Sequence, residues 1–178
     1  MPDVVLRPAE AQDAHDIARI LRAALAAFDW MPQLHTPDED LRFVSSCLLA
    51  EQQVTVATLQ DKVVGFATVD GDWIEQLYLD PAWTGRGIGT QLLRHATAKM
   101  THVKLYCFEA NHGARRFYER HGFAAEAFGD GSRNEEGLPD ILYARKGDLD
   151  LPAYAGDVRF HPDRPALQEQ RTDSKHLK

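Results

Sequence analysis

Apolar residues in the first part of the chain follow two different periods. Residues 4–6 form a short apolar run typical of a β-strand, and Arg7 and Pro8 close it. Across residues 17–28 the apolar positions recur every three or four residues. This second spacing predicts an amphipathic α-helix.

A second helix is predicted to begin near Thr36. Thr36 can serve as the N-cap, Pro37 fits the first helical position, and Glu39 completes a capping box. The buried face of this helix is formed by Leu41, Val44 and Leu48.

Three short runs of apolar and β-branched residues follow, over 54–59, 63–69 and 73–79. Turn-forming residues separate these runs at 60–62 and 70–72. Because both connections are tight, we expect the three strands to form an antiparallel meander.

The remainder of the chain alternates between helical and β patterns. Asn111 can cap a short helix, and Gly122 fits its C-terminal stop. Seven strands and four helices in this order predict an α+β fold with a mixed sheet. The predicted elements are a helix over 88–100, a strand over 103–108, a helix after Asn111, and strands over 123–128 and 141–145.

Composition and charge narrow the class of protein. The 178 residues are 44% hydrophobic and 26% charged, which excludes a disordered chain and a small disulfide scaffold. No apolar stretch is long enough for a spanning helix or a signal-peptide core, so we expect a cytoplasmic protein without a membrane partner. Residues 148–178 are polar, proline-rich and aperiodic, which predicts a tail outside the folded domain at 1–147.

The acidic balance argues against nucleic acid as a partner. The chain has 20 Lys and Arg against 27 Asp and Glu, a net charge of -7, which favours cationic partners instead. Cys47 and Cys107 form no paired motif, and the histidines show no metal-ligand spacing, so no metal site is predicted.

The segment between the third meander strand and the next helix carries alternating glycines at Gly85, Gly87 and Gly89. Glycines at a helix start let several N–H groups converge on one point, which suits a phosphate or pyrophosphate group. A P-loop is excluded because no Gly-Lys-Ser/Thr follows. A dinucleotide fingerprint is disfavoured by the glycine spacing and by the antiparallel meander upstream.

Two motifs together resemble the GNAT superfamily of N-acyltransferases over residues 3–147. The stretch from Thr84 to Gly89 is similar to the family's acyl-CoA pyrophosphate loop, Gln/Arg-x-x-Gly-x-Gly/Ala, with Thr84 as the departure. The second motif runs from Asn111 to Phe123 and includes Ala114, Phe117, Tyr118 and Gly122. The resemblance implies a mixed, mostly antiparallel seven-stranded sheet flanked by about four helices.

The resemblance also implies an activity. It is acetyl-CoA-dependent transfer of an acetyl group to a primary amine of a small molecule or peptide, by direct attack in a ternary complex. The alternative is a non-catalytic acyl-CoA sensor or interaction module on the same fold.

Two residues are the catalytic candidates. Glu75, on the third meander strand, is the candidate base, acting directly or through water; burial would raise the pKa of its carboxyl. Tyr118 is the candidate acid for the departing thiolate, since its phenol (pKa about 10) stays protonated at neutral pH. The competing interpretations are a solvated strand-face carboxylate for Glu75 and a core aromatic for Tyr118.

The remaining site predictions concern the co-substrate and the acceptor. The resemblance implies that the main chain of residues 77–79 pairs with the pantetheine and that the N–H of either Leu77 or Leu79 polarises the thioester carbonyl. It also implies that the acid-rich loop at 129–140 borders the acceptor pocket, where the acids would suit a cationic amine, with Trp30, Met31 and His35 expected on the other wall. The tail carries spaced apolar anchors, which suggest docking either across a homodimer partner or near the acceptor pocket: Tyr154, Val158, Phe160 and Leu167. The expected acetyl-CoA-binding residues are Leu77, Tyr78, Leu79, Thr84, Gly85, Arg86, Gly87, Ile88, Gly89, Thr90, Asn111 and Phe117.

Overall fold

The computed structural model describes residues 3–147. Within this range the chain forms two compact units, divided after Thr97. All seven predicted strands and all four predicted helices are present, so the α+β class is confirmed. The predicted tail at 148–178, with its apolar anchors, lies outside the described residues, and the domain boundary at 147 stays a prediction.

The first unit is a four-stranded sheet with helices. Its strands lie in the order β1-β2-β3-β4, and every neighbouring pair is antiparallel, so the predicted meander is confirmed. The elements are β1 (Val5–Pro8), α1 (Ala14–Ala26), α2 (Pro37–Phe43), β2 (Gln53–Leu59), β3 (Lys62–Asp70), β4 (Trp73–Leu79) and α3 (Ile88–Thr97).

The predicted capping box begins α2. Thr36 accepts a hydrogen bond from the N–H of Glu39 at 3.3 Å, and the Glu39 carboxylate accepts one from the Thr36 N–H at 2.8 Å. The helix continues through a π-helical turn at Val44–Leu48 and ends with Leu49–Glu51. Val44 and Leu48 are fully buried, as the sequence pattern indicates.

Two apolar clusters cover the two faces of this sheet. On one face Ile17 and Ile20 of α1 and Phe43 of α2 pack against β2 and β3. The other cluster joins Ile88 and Leu92 of α3 to buried residues of the same two strands. Burial of this apolar area on both faces is the main stabilising contribution to the unit.

The second unit contains three strands and one helix. The strands lie in the order β5-β7-β6, and both pairs are antiparallel. Asn111 caps the helix by accepting the Ala114 N–H at 3.0 Å, and Gly122 follows its end with a φ of +85°, which confirms both predicted signals. The elements are β5 (His102–Phe108), α4 (His112–Arg120), β6 (Ala124–Gly129) and β7 (Asp140–Lys146).

A partly buried ion pair ties the first strand to the start of α1. Both Nη atoms of Arg7 donate to the carboxylate of Asp13, at 2.7 and 2.9 Å. Asp13 is 4% exposed and also accepts the Glu10 N–H at 2.7 Å. The hydrogen bond from Arg7 is the main reason that the pKa of Asp13 lies below its usual value.

This ion pair predicts a pH-dependent stability. A carboxyl whose folded pKa is depressed stabilises the protein above its unfolded pKa, and this contribution is lost as the pH falls through the folded pKa. Asp13→Asn should therefore lower the free energy of unfolding by about 2 kcal/mol at pH 7. Urea titrations should show the difference from the wild type shrinking below about pH 4.

The control is Asp16→Asn, in which the lost ion pair with Arg19 is half exposed on both sides. That substitution should change stability very little. A constant difference between wild type and Asp13→Asn from pH 7 to pH 3 would contradict the assignment.

Candidate active site

The candidate base lies at an irregular point of β4. In the β3–β4 pair Thr68 faces Gln76 and Val69 faces Ile74, so Glu75 is the extra residue of a β-bulge. Bulges redirect a side chain out of the regular alternation and recur beside functional sites. Glu75 is 7% exposed, so the alternative of a solvated strand-face carboxylate does not apply.

The following residues of β4 use their side chains for packing. Tyr78 packs against the α1–α2 cluster, with its ring 6.0 Å from that of Phe66. Leu77 and Leu79 pack against the α3 cluster on the opposite face. What this part of the strand can offer a ligand is therefore mainly its main chain.

Asp80 holds the junction between β4 and the glycine turn. One carboxylate oxygen accepts the Ala82 N–H at 3.0 Å, and the other binds Arg19 of α1 at 2.8 Å. The hydrogen bond from Arg19 is the largest cause of the lowered pKa of Asp80, so its carboxyl is ionised at neutral pH. A short 3-10 turn at Pro81–Trp83 begins at this cap.

The glycine turn has the backbone that a phosphate cradle requires. Gly85 and Gly87 adopt φ values of +72° and +80°, a region that favours glycine, and a Cβ at either position would meet nothing within 4 Å. Gln91 donates its N–H to the Gly87 carbonyl at 3.1 Å, so α3 begins directly after the turn. The first-turn N–H groups of a helix have no acceptor within the helix and carry its positive dipole end. A pyrophosphate group fits this open, positively polarised turn.

The side chains of the turn are arranged differently from its main chain. The Thr84 hydroxyl donates to the Pro81 carbonyl at 3.1 Å, which ties the Thr84 side chain to the preceding 3-10 turn. The guanidinium of Arg86 lies 4.7 Å from the centre of the Trp83 ring. Ile88 belongs to the α3 core and is 1% exposed. Thr84 and Ile88 therefore have only their main chain to offer a ligand here.

In the second unit the candidate acid lies within a group of aromatic rings. Tyr118 of α4 is 8% exposed and makes edge-on ring contacts with Phe117 at 5.2 Å and with Phe123 at 5.5 Å. His121 caps the helix end through a hydrogen bond between its Nδ1 and the Phe117 carbonyl at 2.7 Å. This packing fixes the position of the Tyr118 ring, and it is compatible with both interpretations of Tyr118.

Cys107 of β5 is a buried thiol. It is 7% exposed, and burial raises the pKa of its thiol to about 12. Nucleophilic attack requires the thiolate, so Cys107 is a poor acyl carrier.

The acid-rich loop between β6 and β7 is organised by one side chain. The Asn134 amide donates to the Leu138 carbonyl at 2.7 Å and to Asp140 at 3.1 Å, and it accepts the Leu138 N–H at 3.1 Å. Asp130 accepts both the N–H and the hydroxyl of Ser132, at 2.9 and 2.6 Å. The acids of this loop are therefore held by a defined backbone.

The segment between α1 and α2 is anchored by a residue that the sequence did not single out. Arg22 donates to the His35 carbonyl at 2.6 Å and pairs with the buried Asp40 at 2.7 Å. Met31 is 8% exposed, and the ring of Trp30 stacks on Phe28 at 4.7 Å.

Each unit thus holds a separate part of the predicted site. The first unit contains Glu75, residues 77–79 and the turn at 84–90, and the second contains Asn111, Phe117 and Tyr118. Over residues 3–147 no group of three or more His, Cys, Asp or Glu side chains is placed to bind a metal ion. No helix in that range is both long and apolar enough to cross a membrane.

The described chain combines a mixed α/β architecture with a glycine turn that opens a helix after a bulged strand. The sequence profile of the acetyltransferase (GNAT) family matches residues 17–123, which is more than half of the chain. The chain belongs to this family.

Individual proteins resemble the chain in sequence or in fold. Over 85 residues the chain is 35% identical to the peptidyl-lysine N-acetyltransferase YjaB of Salmonella typhimurium. The matched residues are 47% of this chain and 59% of that protein. The solution structure of apo YjaB from Escherichia coli has a TM-score of 0.68 at 23% identity and covers 80% of this chain and 97% of that one. The structure of yncA from Salmonella typhimurium with its cofactor acetyl-CoA has a TM-score of 0.64 at 20% identity. It covers 84% of this chain and 96% of that one.

The role of Asp80 predicts a local effect on the glycine turn. Asp80→Ala removes the acceptor of the Ala82 N–H, so exchange of that amide with solvent should accelerate about tenfold, as expected for loss of a cap. Amide exchange followed residue by residue by NMR measures this. The control is Asp130→Ala, which removes a similar contact to Ser132 and should leave the exchange rate of the Ala82 amide unchanged. Equal exchange rates at Ala82 in the wild type and in Asp80→Ala would disprove the anchoring role of Asp80.

Proposed function

We propose that this chain is an acetyl-CoA-dependent N-acetyltransferase that acts on the primary amine of a small molecule or peptide. The observation that carries the proposal is the turn at Gly85 and Gly87, whose left-handed glycines open α3 with free space where side chains would be. Membership of the acetyltransferase (GNAT) family supports the same activity. A non-catalytic acyl-CoA-binding module is disfavoured because Glu75 and Tyr118 are both present and held in place.

Acetyl-CoA is the proposed co-substrate, with residues 1–147 as the catalytic domain. The main chain from Gly85 to Thr90 would hold the pyrophosphate, with Arg86 beside it. The main chain of residues 77–79 would pair with the pantetheine, and Asn111 and Phe117 would border it.

Three steps of the transfer need protein groups. The attacking amine must lose a proton, which we assign to Glu75, directly or through water. The thioester carbonyl must be polarised, which we assign to the N–H of Leu77 or Leu79. The departing thiolate must gain a proton, which we assign to the phenol of Tyr118. The high pKa of Cys107 favours direct attack by the amine over an acyl-enzyme.

The acceptor is proposed to be cationic before it reacts. The net charge of -7 and the ordered acid-rich loop at 129–140 favour a positively charged partner. The names of relatives that are peptidyl-lysine N-acetyltransferases make a lysine side chain the first acceptor to test. The cytoplasmic location and the homodimer remain predictions.

Binding of acetyl-CoA gives the first test. At about 100 times the dissociation constant, acetyl-CoA should raise the Tm by about 5–10 °C, and NAD should not. Gly87→Ala should weaken this binding about tenfold, since an alanine there is strained and its methyl group fills the open side of the turn.

Gly71→Ala is the matched control. Gly71 also has a positive φ of +60° and open space around its Cβ, but it lies in the β3–β4 turn. It should lower the Tm by a similar amount and leave acetyl-CoA affinity unchanged. A wild type whose Tm does not respond to acetyl-CoA would contradict the proposed function.

The assignment of Tyr118 predicts a selective loss of turnover. Tyr118→Phe keeps the ring packing and removes the proton donor, so kcat should fall about a hundredfold with acetyl-CoA affinity unchanged. Release of CoA thiol in the presence of a lysine peptide measures the rate.

Tyr143→Phe is the corresponding control. The Tyr143 hydroxyl donates to Glu119 at 2.8 Å and accepts from Arg115 at 3.4 Å, so its removal should lower the Tm and leave kcat unchanged. If Tyr118→Phe instead lost acetyl-CoA binding, Tyr118 would be a packing residue.

A further inference from the structure

Two polar side chains in the sheet of the first unit are buried without a hydrogen-bond partner among the described residues. They are Thr68 of β3, which is 0% exposed, and Gln76 of β4, which is 6% exposed. The atoms without a partner are the Thr68 hydroxyl Oγ1 and the Gln76 amide Oε1. Buried oxygens of this kind destabilise a folded chain, and native structures retain few of them. The N–H groups of a bound ligand would satisfy both oxygens.

The two side chains are directly opposite each other and next to the candidate base. Thr68 and Gln76 are paired in the β3–β4 register, and Glu75 is the bulged residue that precedes Gln76. Three residues with oxygen acceptors, none more than 7% exposed, are thus adjacent in this strand pair.

The strand alternation fixes the face on which the pair lies. Side chains two positions apart in a strand share a face, so Thr68 lies on the face of Phe66, and Gln76 on that of Tyr78. Phe66 and Tyr78 pack in the cluster under α1 and α2. The unpartnered oxygens therefore interrupt an otherwise apolar face, away from the α3 face that carries the glycine turn.

We propose that Gln76 Oε1 and Thr68 Oγ1 accept N–H groups of the acceptor's amino nitrogen and make the enzyme selective for primary amines. The proposal rests on the proposed function, in which Glu75 takes one proton from the same nitrogen. A primary ammonium has three N–H donors, and the three residues supply a matching set of oxygen acceptors.

The same arrangement discriminates against secondary amines. A methyl group on the nitrogen replaces one donor and leaves one of the two buried oxygens unpaired. A site built around hydrogen bonds rejects a ligand that lacks one of them more strongly than an apolar pocket rejects a change of size.

The experiment compares primary and N-methylated acceptors. The probes are a single-lysine peptide and its Nε-methyl-lysine counterpart, with n-butylamine and N-methylbutylamine as a small-molecule pair. Calorimetry on the CoA complex measures binding, and release of CoA thiol from acetyl-CoA measures kcat/KM. The wild type should prefer each primary amine by tenfold or more, and Gln76→Leu and Thr68→Val should each reduce this preference to about threefold or less.

Stability supplies a second readout with a matched control. Thr58 is also buried, but its hydroxyl donates to the Val5 carbonyl at 3.3 Å. Thr58→Val should therefore lower the Tm without changing the amine preference. Thr68→Val and Gln76→Leu remove oxygens that have no partner, so the Tm without ligand should stay equal or rise.

The outcomes separate this subsite from the proposed function. An unchanged amine preference in Gln76→Leu and Thr68→Val, or a Tm loss in Thr68→Val as large as in Thr58→Val, would overturn the subsite. Failure of the wild type to bind any of the primary amines would overturn it as well. Selective binding of primary amines without acetyl transfer would support the subsite and refute the proposed activity.

Discussion

Asp80 joins three parts of the first unit at one point. Its N–H donates to the Val64 carbonyl of β3, and its carboxylate binds both Arg19 of α1 and the Ala82 N–H of the turn. Its carbonyl accepts the Trp83 N–H at 2.8 Å. Because Arg19 lowers the pKa of Asp80, the carboxyl keeps its charge, and with it both side-chain contacts, to a lower pH than an ordinary aspartate. The glycine turn is therefore fixed to the end of β4 and to α1, which a phosphate cradle built from main-chain groups requires.

The residues of β4, the strand that ends at Asp80, have three tasks: packing on each of its two faces, and the proposed chemistry. Leu77 and Leu79 pack towards α3, and Tyr78 packs towards α1 and α2. The bulge at Glu75 breaks the alternation where the face turns polar, beside Thr68 and Gln76. Packing therefore uses the side chains after the bulge, and the proposed chemistry uses those at the bulge and just beyond it. One strand can serve both because the two groups of residues follow one another along it.

Structural features that depend on neighbouring residues were predictable from the sequence, and features that depend on residues far apart in the chain were not. The caps at Thr36 and Asn111 depend on residues within a few positions of each other, so their patterns are visible in the chain. The Arg19–Asp80 pair joins residues 61 positions apart, and the bulge at Glu75 depends on the register with β3. The apolar spacing also continues beyond the helix ends. α1 ends at Ala26 and α3 ends at Thr97, although residues beyond both ends still pack. Apolar spacing shows which residues are buried, and buried residues are found beyond the last helical residue as well.

Two features bear on the proposed acetyl transfer: the high pKa of the buried Cys107 thiol, and the unpartnered oxygens of Thr68 and Gln76. Burial raises the pKa of the Cys107 thiol to about 12, which favours the proposed direct attack of the amine on the thioester. Direct attack requires the nitrogen lone pair to point at the carbonyl carbon, and a nitrogen held by one contact alone can rotate away. Acceptors at Thr68 and Gln76 would hold the remaining N–H groups while Glu75 takes the proton. The instability of two unpaired oxygens in the ligand-free protein would then be the cost of an orientation that the acceptor completes when it binds.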